Sequence, residues 1–420
     1  MELLQPAITL ASEGFPVAGP VTSAMWCSGF ESQVIPWLER GYYKEGEDLP
    51  LTVDGVRPPQ AGEVYRNKDL ADVLRGIGEK GARGGFYENK EVAGKVCEAV
   101  RDMGGCLEEE DFRIHESTWV DTIGVSYNGR TLHEIPPPGQ GVAGLIALSS
   151  YKSMLSLFGP PTTQVDSLHY QIEAVRMAFE DARDRVGDTE DIQTDLDYLL
   201  SESRIHERVK SVFKPNAASS PGTPVPTNCT VSFQVADSLG NAVSFVNSNY
   251  MGFGTGLVPK GLGFTLQNRA AGLSLVQGHP NEWGKSKRSY HTIIPAIITE
   301  DGTDGGVDKL HATISNMGGF MQPQGHLQLM LKLSSGMDPQ QAVDEPRFCI
   351  PTGLRDGEVM LEDGFEDDVV EGLIEKGHKV KVLKGYDRTV FGRAQIIVCR
   401  EDGVKICGSD GRCDGCAGGG

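Results

Sequence analysis

Thr230 stands where two unlike stretches of the sequence meet, and that position determines which chemistry its hydroxyl could perform. The preceding segment, Lys214 to Asn228, contains four prolines and many small polar residues, so it is predicted to be an exposed linker. After it the apolar residues recur with a period of two, from Thr230 to Asp237 and from Ala242 to Val246, which predicts a β-hairpin. A threonine that opens a strand directly after a linker could act as a nucleophile with its own α-amine as the base.

The chemistry that this position allows is self-cleavage followed by attack on an amide. The Thr230 hydroxyl would attack the carbonyl of Cys229, and water would cleave the resulting ester to release the α-amine of Thr230. An α-amine has a pKa of about 8, so it can accept a proton near neutral pH. The alternative is that Thr230 only favours the strand, as β-branched residues generally do.

A series of motifs follows Thr230 in order along the second half of the chain. They are Thr230 to Asp237, Gly240 to Ser244, Gly252 to Gly256, Leu266 to Arg269, Arg288 to Pro295, Met317 to Gly319, Glu345 to Phe348 and Gly408 to Gly415. Together they resemble the small subunit of the gamma-glutamyltranspeptidase family, with the nucleophile on Thr230. Four upstream motifs resemble its large subunit: Leu4 to Ala7, Trp119 to Val120, Pro136 to Gly141 and His169 to Ala174.

The resemblance implies a fold class and a division of the chain. We expect an α/β protein of the layered α+β kind, a four-layer αββα N-terminal-nucleophile hydrolase sandwich with mostly antiparallel sheets, incomplete at its N-terminus. Residues 1–229 would be a truncated large-subunit portion that ends in the linker, and residues 230–420 the small catalytic subunit. The large subunit's arginine that binds substrate carboxylate has no match in this chain. An inactive or impaired family member is therefore an alternative.

The resemblance also assigns site residues. Gly318 and Gly319 match paired glycines whose N–H groups form an oxyanion hole, although a tight turn is the simpler explanation. Ser248 stands where the family has a threonine that hydrogen-bonds the amine of the nucleophile. His291 and Thr292 stand where many members have paired serines that bind substrate, and a strand-packing role is the alternative.

Two departures from the family pattern concern the substrate. The family's asparagine after Ser248 falls on Tyr250, with Asn249 adjacent, and the aspartate that binds the glutamyl amino group falls on Gly272. Arg269 belongs to a Gln-Asn-Arg sequence that variant members share. The implied substrate is a gamma-glutamyl amide such as glutathione, with water or an amine as acceptor. Another acyl amide, as in cephalosporin-acylase-like relatives, is the alternative.

Composition excludes some partners and leaves a metal alternative open. The formal charge of −19, without a long basic run, argues against nucleic acid, and neither a signal peptide nor a membrane segment is predicted, so we expect a soluble chain. The resemblance implies no cofactor, and after self-cleavage the two subunits would be each other's partners.

Four thiols near the C-terminus leave a metal site as an alternative to the absence of a cofactor. Zinc ligation by these thiols is that alternative, although incidental thiols are the simpler explanation; they are Cys399, Cys407, Cys413 and Cys416.

The local patterns predict elements that would carry these residues. Predicted helices lie at 70–77, 92–100, 142–157, 167–185, 326–333 and 369–376, with a loop at 81–87. Predicted strands lie at 293–299, 380–383 and 395–399, with a hairpin over 125–135 around an Asn-Gly turn. His169 is predicted to be a packed or capping histidine.

Overall fold

The computed structural model describes residues 1–189, 192–218, 229–302, 308–353 and 357–420. The chain divides into two compact units, one formed by Met1–Trp119 with Met251–Asn268 and the other by Val120–Tyr250 with Arg269–Gly420. Every predicted site residue lies in the second unit. Most of the predicted linker, residues 219–228, lies outside the described residues. The predicted division at 229/230 is a cleavage site and not a boundary between compact units, and it stays a prediction.

The first unit is mainly helical. Its helices are α1 (Gln5–Glu13), α2 (Val21–Gly29), α3 (Ile35–Glu39), α4 (Lys68–Ala82), α5 (Lys95–Asp102) and α6 (Glu109–Ile114), and its strands are β1 (Phe15–Pro16) and β2 (Val64–Tyr65). The helices predicted at 70–77 and 92–100 are confirmed, because they fall mainly within α4 and α5. The loop predicted at 81–87 was wrong: Arg83–Tyr87 forms a turn of π-helix, in which Phe86 packs against the cluster around Val92 and Leu262.

The second unit combines seven α-helices and eleven strands among the described residues. The helices are α7 (Gly141–Phe158), α8 (Gln164–Arg185), α9 (Ile192–Leu199), α10 (Glu202–Val212), α11 (Met321–Ser334), α12 (Pro339–Asp344) and α13 (Asp367–Glu375). The strands are β3 (Ile123–Tyr127), β4 (Arg130–Glu134), β5 (Cys229–Ala236), β6 (Ala242–Tyr250), β7 (Ala296–Glu300), β8 (Lys309–Met317), β9 (Phe348–Cys349), β10 (Val359–Glu362), β11 (Val380–Leu383), β12 (Arg393–Cys399) and β13 (Lys405–Ser409).

The largest sheet in this unit is antiparallel and has the strand order β13-β12-β8-β7-β4-β3. Strands β5 and β6 form a separate antiparallel hairpin, and a small sheet of order β11-β10-β9 contains the parallel pair β10–β11. The predicted turn between β3 and β4 is confirmed, with positive φ at both Asn128 and Gly129. The sheets are therefore mostly antiparallel, as predicted.

A helical layer covers one face of the six-stranded sheet. Residues of α7, α8 and α11 share one hydrophobic cluster with Ala312 and Ile314 of β8 and with Ala394 and Ile396 of β12. By length and composition α7 could cross a membrane, but it is a core helix here, with residues from Val142 to Leu148 all buried. Burial of this apolar face is the main stabilising contribution that the sheet receives from the helices.

The β5–β6 hairpin packs against the opposite face of β8 through polar side chains. The Ser315 hydroxyl donates to that of Ser232 at 2.8 Å and accepts from the Gln234 amide at 2.8 Å, while the Ser244 hydroxyl donates to the carbonyl of Ile314 at 3.1 Å. Because strand residues alternate between faces, the intervening apolar residues point the other way. The exposed apolar face of the hairpin consists of Val231, Phe233, Val235, Val243 and Phe245.

The closing motif of the chain forms a buried ionic network. Asp410 accepts from Arg347 at 2.7 Å and from Arg412 at 2.9 Å, and Arg412 also pairs with Glu362 at hydrogen-bond distance. The two arginines hold the pKa of Asp410 below its usual value against the effect of burial. These contacts connect the residues after β13 to the residue before β9 and to the end of β10, which gives the motif a structural role.

Candidate active site

Thr230 is the second residue of β5 and lies at an irregularity of the hairpin. Cys229 pairs with Tyr250 and Val231 with Asn247, so two residues, Ser248 and Asn249, lie opposite Thr230. An extra residue of this kind forms a bulge, which bends the strand locally and redirects its side chains. Thr230 itself is buried, with 8% of its surface exposed. The hairpin pattern predicted the strand, but the bulge follows only from the pairing.

Ser248 is a hydroxyl partner of Thr230. The Thr230 Oγ1 donates to the Ser248 Oγ at 3.2 Å. The Ser248 Oγ also accepts the N–H of Tyr250 at 3.0 Å. Tyr250 has a φ of 80°, in a region that residues other than glycine seldom adopt. The strained end of β6 thus turns back on itself and holds the Ser248 hydroxyl against Thr230.

Arg269 connects this end of the hairpin to the segment before β7. Its guanidinium donates to the backbone carbonyl of Ser248 at 3.1 Å and to the hydroxyl of Thr292 at 2.9 Å, and it lies 5.5 Å from the ring centre of Tyr250. The side chain is buried, with 5% of the residue exposed. Burial lowers its pKa from the ordinary value, while Tyr250 acts in the opposite direction.

His291 precedes Thr292 and lies in a cationic environment. Burial, with further contributions from Arg269 and Arg288, lowers the pKa of His291 to about 4. The imidazole is therefore neutral at neutral pH. The positive charges of Arg269 and Arg288 thus lie close enough to His291 to affect its imidazole.

Gly318 and Gly319 form the turn between β8 and α11. Their φ angles are 129° and 60°, and a Cβ added to Gly318 would lie 3.2 Å from the Cα of Gly392. The Gly318 carbonyl accepts the N–H of Met321 at 3.0 Å. Because a trans peptide directs its N–H opposite to its carbonyl, this bond orients the N–H of Gly319 away from α11.

Gln140 is a residue of the site that sequence reasoning did not single out. Its side chain is completely buried, and its Nε2 donates to the carbonyl of Thr292 at 2.6 Å and to that of Gly319 at 2.7 Å. The only sequence signal was its place in the motif Pro136 to Gly141, which carried the resemblance but no role. The contact set thus runs from Thr230 through Ser248, Arg269, Thr292 and Gln140 to Gly319.

The remaining predicted substrate residues lie around these contacts. Asn249 lies beside Ser248 in the bulge, and His291 forms a bridge with Gly139. A Cβ added to Gly272 would lie 3.6 Å from the Tyr250 hydroxyl, so the tyrosine lies next to the position where the family has an aspartate.

Two sets of side chains outside this site are of types that can ligate a metal ion. Within the described ranges of the chain, Cys399, Cys407, Cys413 and Cys416 do not form one ligand cluster, so the alternative of zinc ligation by these thiols finds no support. Among the described residues, His169, Glu173 and His378 do cluster, but His169 bonds His378 and the carbonyl of Lys214 at 2.8 Å each. His169 is therefore a packed, hydrogen-bonded histidine, as predicted.

Comparison with known proteins identifies the family to which this arrangement belongs. The family described as gamma-glutamyltranspeptidase matches residues 1–420. The chain belongs to the gamma-glutamyltranspeptidase family. Members of this family are hydrolases and transferases of the N-terminal-nucleophile type, so the chain is an enzyme of that class.

Three relatives indicate the range of this family. The chain is 30% identical to the glutathione hydrolase-like YwrD proenzyme of Bacillus subtilis, over 99% of this chain and 76% of the relative. It is 27% identical to the oxamate amidohydrolase proenzyme of Klebsiella pneumoniae, over 99% of this chain and 75% of that relative. The crystal structure of cephalosporin acylase from Bacillus halodurans superposes with a TM-score of 0.83 at 35% identity, over 97% of this chain and 72% of that one. The predicted N-terminal-nucleophile hydrolase fold is thereby confirmed.

Proposed function

We propose that this gamma-glutamyltranspeptidase family member cleaves itself between Cys229 and Thr230 and then breaks amide bonds through a Thr230 acyl-enzyme. The observation that carries the proposal is the bulge that sets the Thr230 hydroxyl 3.2 Å from that of Ser248 at the head of β5. In the precursor the Thr230 nitrogen belongs to a peptide bond. After cleavage it is a free amine that can accept the proton of the neighbouring hydroxyl. Residues 1–229 and 230–420 would then be the two subunits.

The other site residues take roles that follow from their chemistry. Ser248 hydrogen-bonds Thr230 and orients it, and the N–H groups of Gly318 and Gly319 stabilise the oxyanion of the tetrahedral intermediate. When this intermediate collapses, the amide C–N bond breaks and the leaving amine takes the proton that the Thr230 α-amine had accepted. The acyl group then passes from Thr230 to water or to another amine, which regenerates the hydroxyl. No metal or cofactor takes part in these steps.

The acyl donor we propose is a gamma-glutamyl amide such as glutathione. Arg269, His291 and Thr292 would bind its carboxylate, because this part of the site is cationic and offers hydrogen-bond donors. Asn249 and Tyr250, at the end of β6, would contact the same acyl group. The glutathione hydrolase-like name of the Bacillus subtilis relative supports this substrate class.

A second candidate is an amide of a dicarboxylic acid that has no amino group. Gly272 offers no carboxylate to bind an ammonium group, and the Tyr250 hydroxyl lies next to that position. The relatives named cephalosporin acylase and oxamate amidohydrolase show that amide substrates differ within this group of proteins. An anionic acyl group without an ammonium group would suit the cationic site equally well.

Self-cleavage is tested first, on the full chain. We expect the wild-type chain to give two fragments on a denaturing gel, with Thr-Val-Ser-Phe as the N-terminal sequence of one of them. Thr230→Ala should remain a single chain, while Thr131→Ala, on β4, should be cleaved normally. An uncleaved wild-type chain would indicate an impaired family member and contradict the proposal.

The acyl donor is tested with two anilides that differ only in the α-amino group, gamma-glutamyl anilide and glutaryl anilide. Faster release of aniline from gamma-glutamyl anilide supports the first candidate, and faster release from glutaryl anilide supports the second. Thr230→Ala should abolish both reactions.

A further inference from the structure

Gln140 joins two segments of the site that lie far apart in the sequence. We propose that Gln140 is a positioning residue for acyl transfer at Thr230, because its amide holds the Gly318–Gly319 turn against the Thr292 segment. The inference rests on the proposed function, in which the glycine turn supplies the oxyanion donors. Gln140 itself touches neither the scissile bond nor the nucleophile in this arrangement.

The contacts of Gln140 place it between the two segments. It is the residue immediately before α7, and both N–H groups of its side-chain amide are used, one for the carbonyl of Thr292 and one for that of Gly319. The backbone adds two further bonds, since the Gln140 N–H donates to the carbonyl of His291 at 2.8 Å and the His291 N–H donates to that of Pro138 at 2.8 Å. The segment before α7 and the segment before β7 are therefore fixed to each other.

The bond to Gly319 matters because glycine restricts its own backbone so little. At φ values of 129° and 60° the turn has conformations available that other residues would not allow. The carbonyls of Gly318 and Gly319 accept N–H groups from Met321 and Gln322, which belong to the helix that the turn begins. Gln140 supplies a bond from outside that helix. Donors that are fixed before reaction stabilise an oxyanion far better than donors that must reorganise.

The bond to Thr292 extends the same arrangement to the nucleophile. Thr292 accepts from Arg269, Arg269 donates to the carbonyl of Ser248, and Ser248 accepts from Thr230. Loss of the Gln140 amide would leave the turn and the nucleophile without this shared connection. The backbone bonds that join the His291–Thr292 segment to Pro138 and Gln140 would remain, so we expect the catalytic rate to suffer more than substrate affinity.

A purely structural role is the competing explanation, and α11 provides a matched control. Gln328 is also buried, and its Nε2 donates to the carbonyls of Gln324 and Phe348 at 3.1 Å each. Gln328→Met and Gln140→Met each remove an amide that bridges two buried carbonyls. Each side-chain oxygen also accepts one bond, from the Tyr290 hydroxyl at 3.5 Å for Gln140 and from the Phe348 N–H at 3.3 Å for Gln328. Of the two amides, that of Gln140 contacts the glycine turn.

The experiment compares these two variants in the full chain. It measures the rate at which the Thr230 N-terminus appears, kcat and KM for gamma-glutamyl anilide and glutaryl anilide, and the Tm. We expect both variants to lose thermal stability, and only Gln140→Met to lower the cleavage rate and kcat by about tenfold or more, with KM within about twofold of the wild type. Gln140→Asn, whose shorter amide can reach one carbonyl, should be intermediate.

Equal losses of kcat in Gln140→Met and Gln328→Met would overturn the inference, as would a change confined to KM. If Gln140→Met does not fold, Gln140→Asn is the variant that tests the inference. A lower kcat with an unchanged KM in Gln140→Asn would then support it. If the wild-type chain and Gln140→Asn are equally active, the positioning role of Gln140 is refuted and the proposed function is not. A wild-type chain that never releases Thr230 contradicts the proposed function, and the inference with it.

Discussion

The hydroxyl groups of Thr230 and Ser248 lie 3.2 Å apart across a bulge in the β5–β6 hairpin. A regular hairpin would place a single residue opposite Thr230. The bulge places two there, and the positive φ of Tyr250 at its end returns a backbone N–H to the Ser248 oxygen. The geometry around the proposed nucleophile thus depends on an irregularity of the strand.

Replacement of Ser248 tests this relationship. Ser248→Ala removes the oxygen that accepts from both Thr230 and the Tyr250 N–H, so we expect self-cleavage to slow by about tenfold or more. Ser248→Thr keeps a hydroxyl at the same position and should cleave at close to the wild-type rate. The measurement is the rate at which the Thr230 N-terminus appears. Equal rates for the two variants would show that the hydroxyl is dispensable.

Gly318→Ala tests whether the turn requires glycine. Its φ of 129° is unfavourable for alanine, and the added Cβ would lie 3.2 Å from Gly392 Cα and from Met321 Cβ, so we expect a loss of about 2 kcal/mol or more in the free energy of unfolding. Gly336→Ala is the control, since Gly336 also has a positive φ, of 85°, but open space around its Cβ position. Its loss should be about 1 kcal/mol. Denaturant unfolding measures the free energy of unfolding of both variants. Equal losses in this free energy would contradict the crowding at Gly318.

The pKa of His291 predicts a loss of stability in acid. Burial and the two arginines lower this pKa from 6.5 to about 4, so between these values the unfolded chain binds a proton that the folded chain does not. The contribution is fully present above pH 6.5 and is lost as the pH falls towards 4. From pH 7.5 to 4.5, we expect the wild type to lose about 2 kcal/mol more than His291→Gln.

The control for His291 is His115→Gln, which replaces an exposed histidine. Its stability should fall with pH in parallel with the wild type. The free energy of unfolding at both pH values is obtained from urea titrations. If His291→Gln also falls in parallel with the wild type, the imidazole is not held neutral by its surroundings.

The exposed apolar face of the β5–β6 hairpin predicts a surface that binds hydrophobic dyes. Phe233 and Phe245 stack with ring centres 4.7 Å apart, and each is 47% exposed. Phe245→Thr should reduce the binding of a hydrophobic dye and change the free energy of unfolding by about 1 kcal/mol or less. Phe348→Thr, at a fully buried position, should cost about 3 kcal/mol or more. Unchanged dye binding in Phe245→Thr would show that this face is covered in solution.

Local sequence patterns were sufficient for many of the elements. The Asn-Gly turn between β3 and β4 and the period-two hairpin of β5 and β6 follow from short-range preferences, and α7 and α8 from helical spacing. The patterns failed where distant packing decides, as at Arg83–Tyr87, where Phe86 joins a cluster with Leu262. Strand β8, at the centre of the large sheet, was not predicted, because a strand buried on both faces lacks a clear alternation.

The sequence by itself determined the strand that contains Thr230 and the order of motifs that identifies the family, because both depend on residue types at fixed spacing. The tertiary structure alone decided which of these residues meet. The pairing of β4 with β7 joins the two halves of the chain, and Gln140 meets Thr292 and Gly319 across more than 150 residues of sequence. Such contacts follow from the packing of distant segments, and no local preference of the residues at either end specifies them.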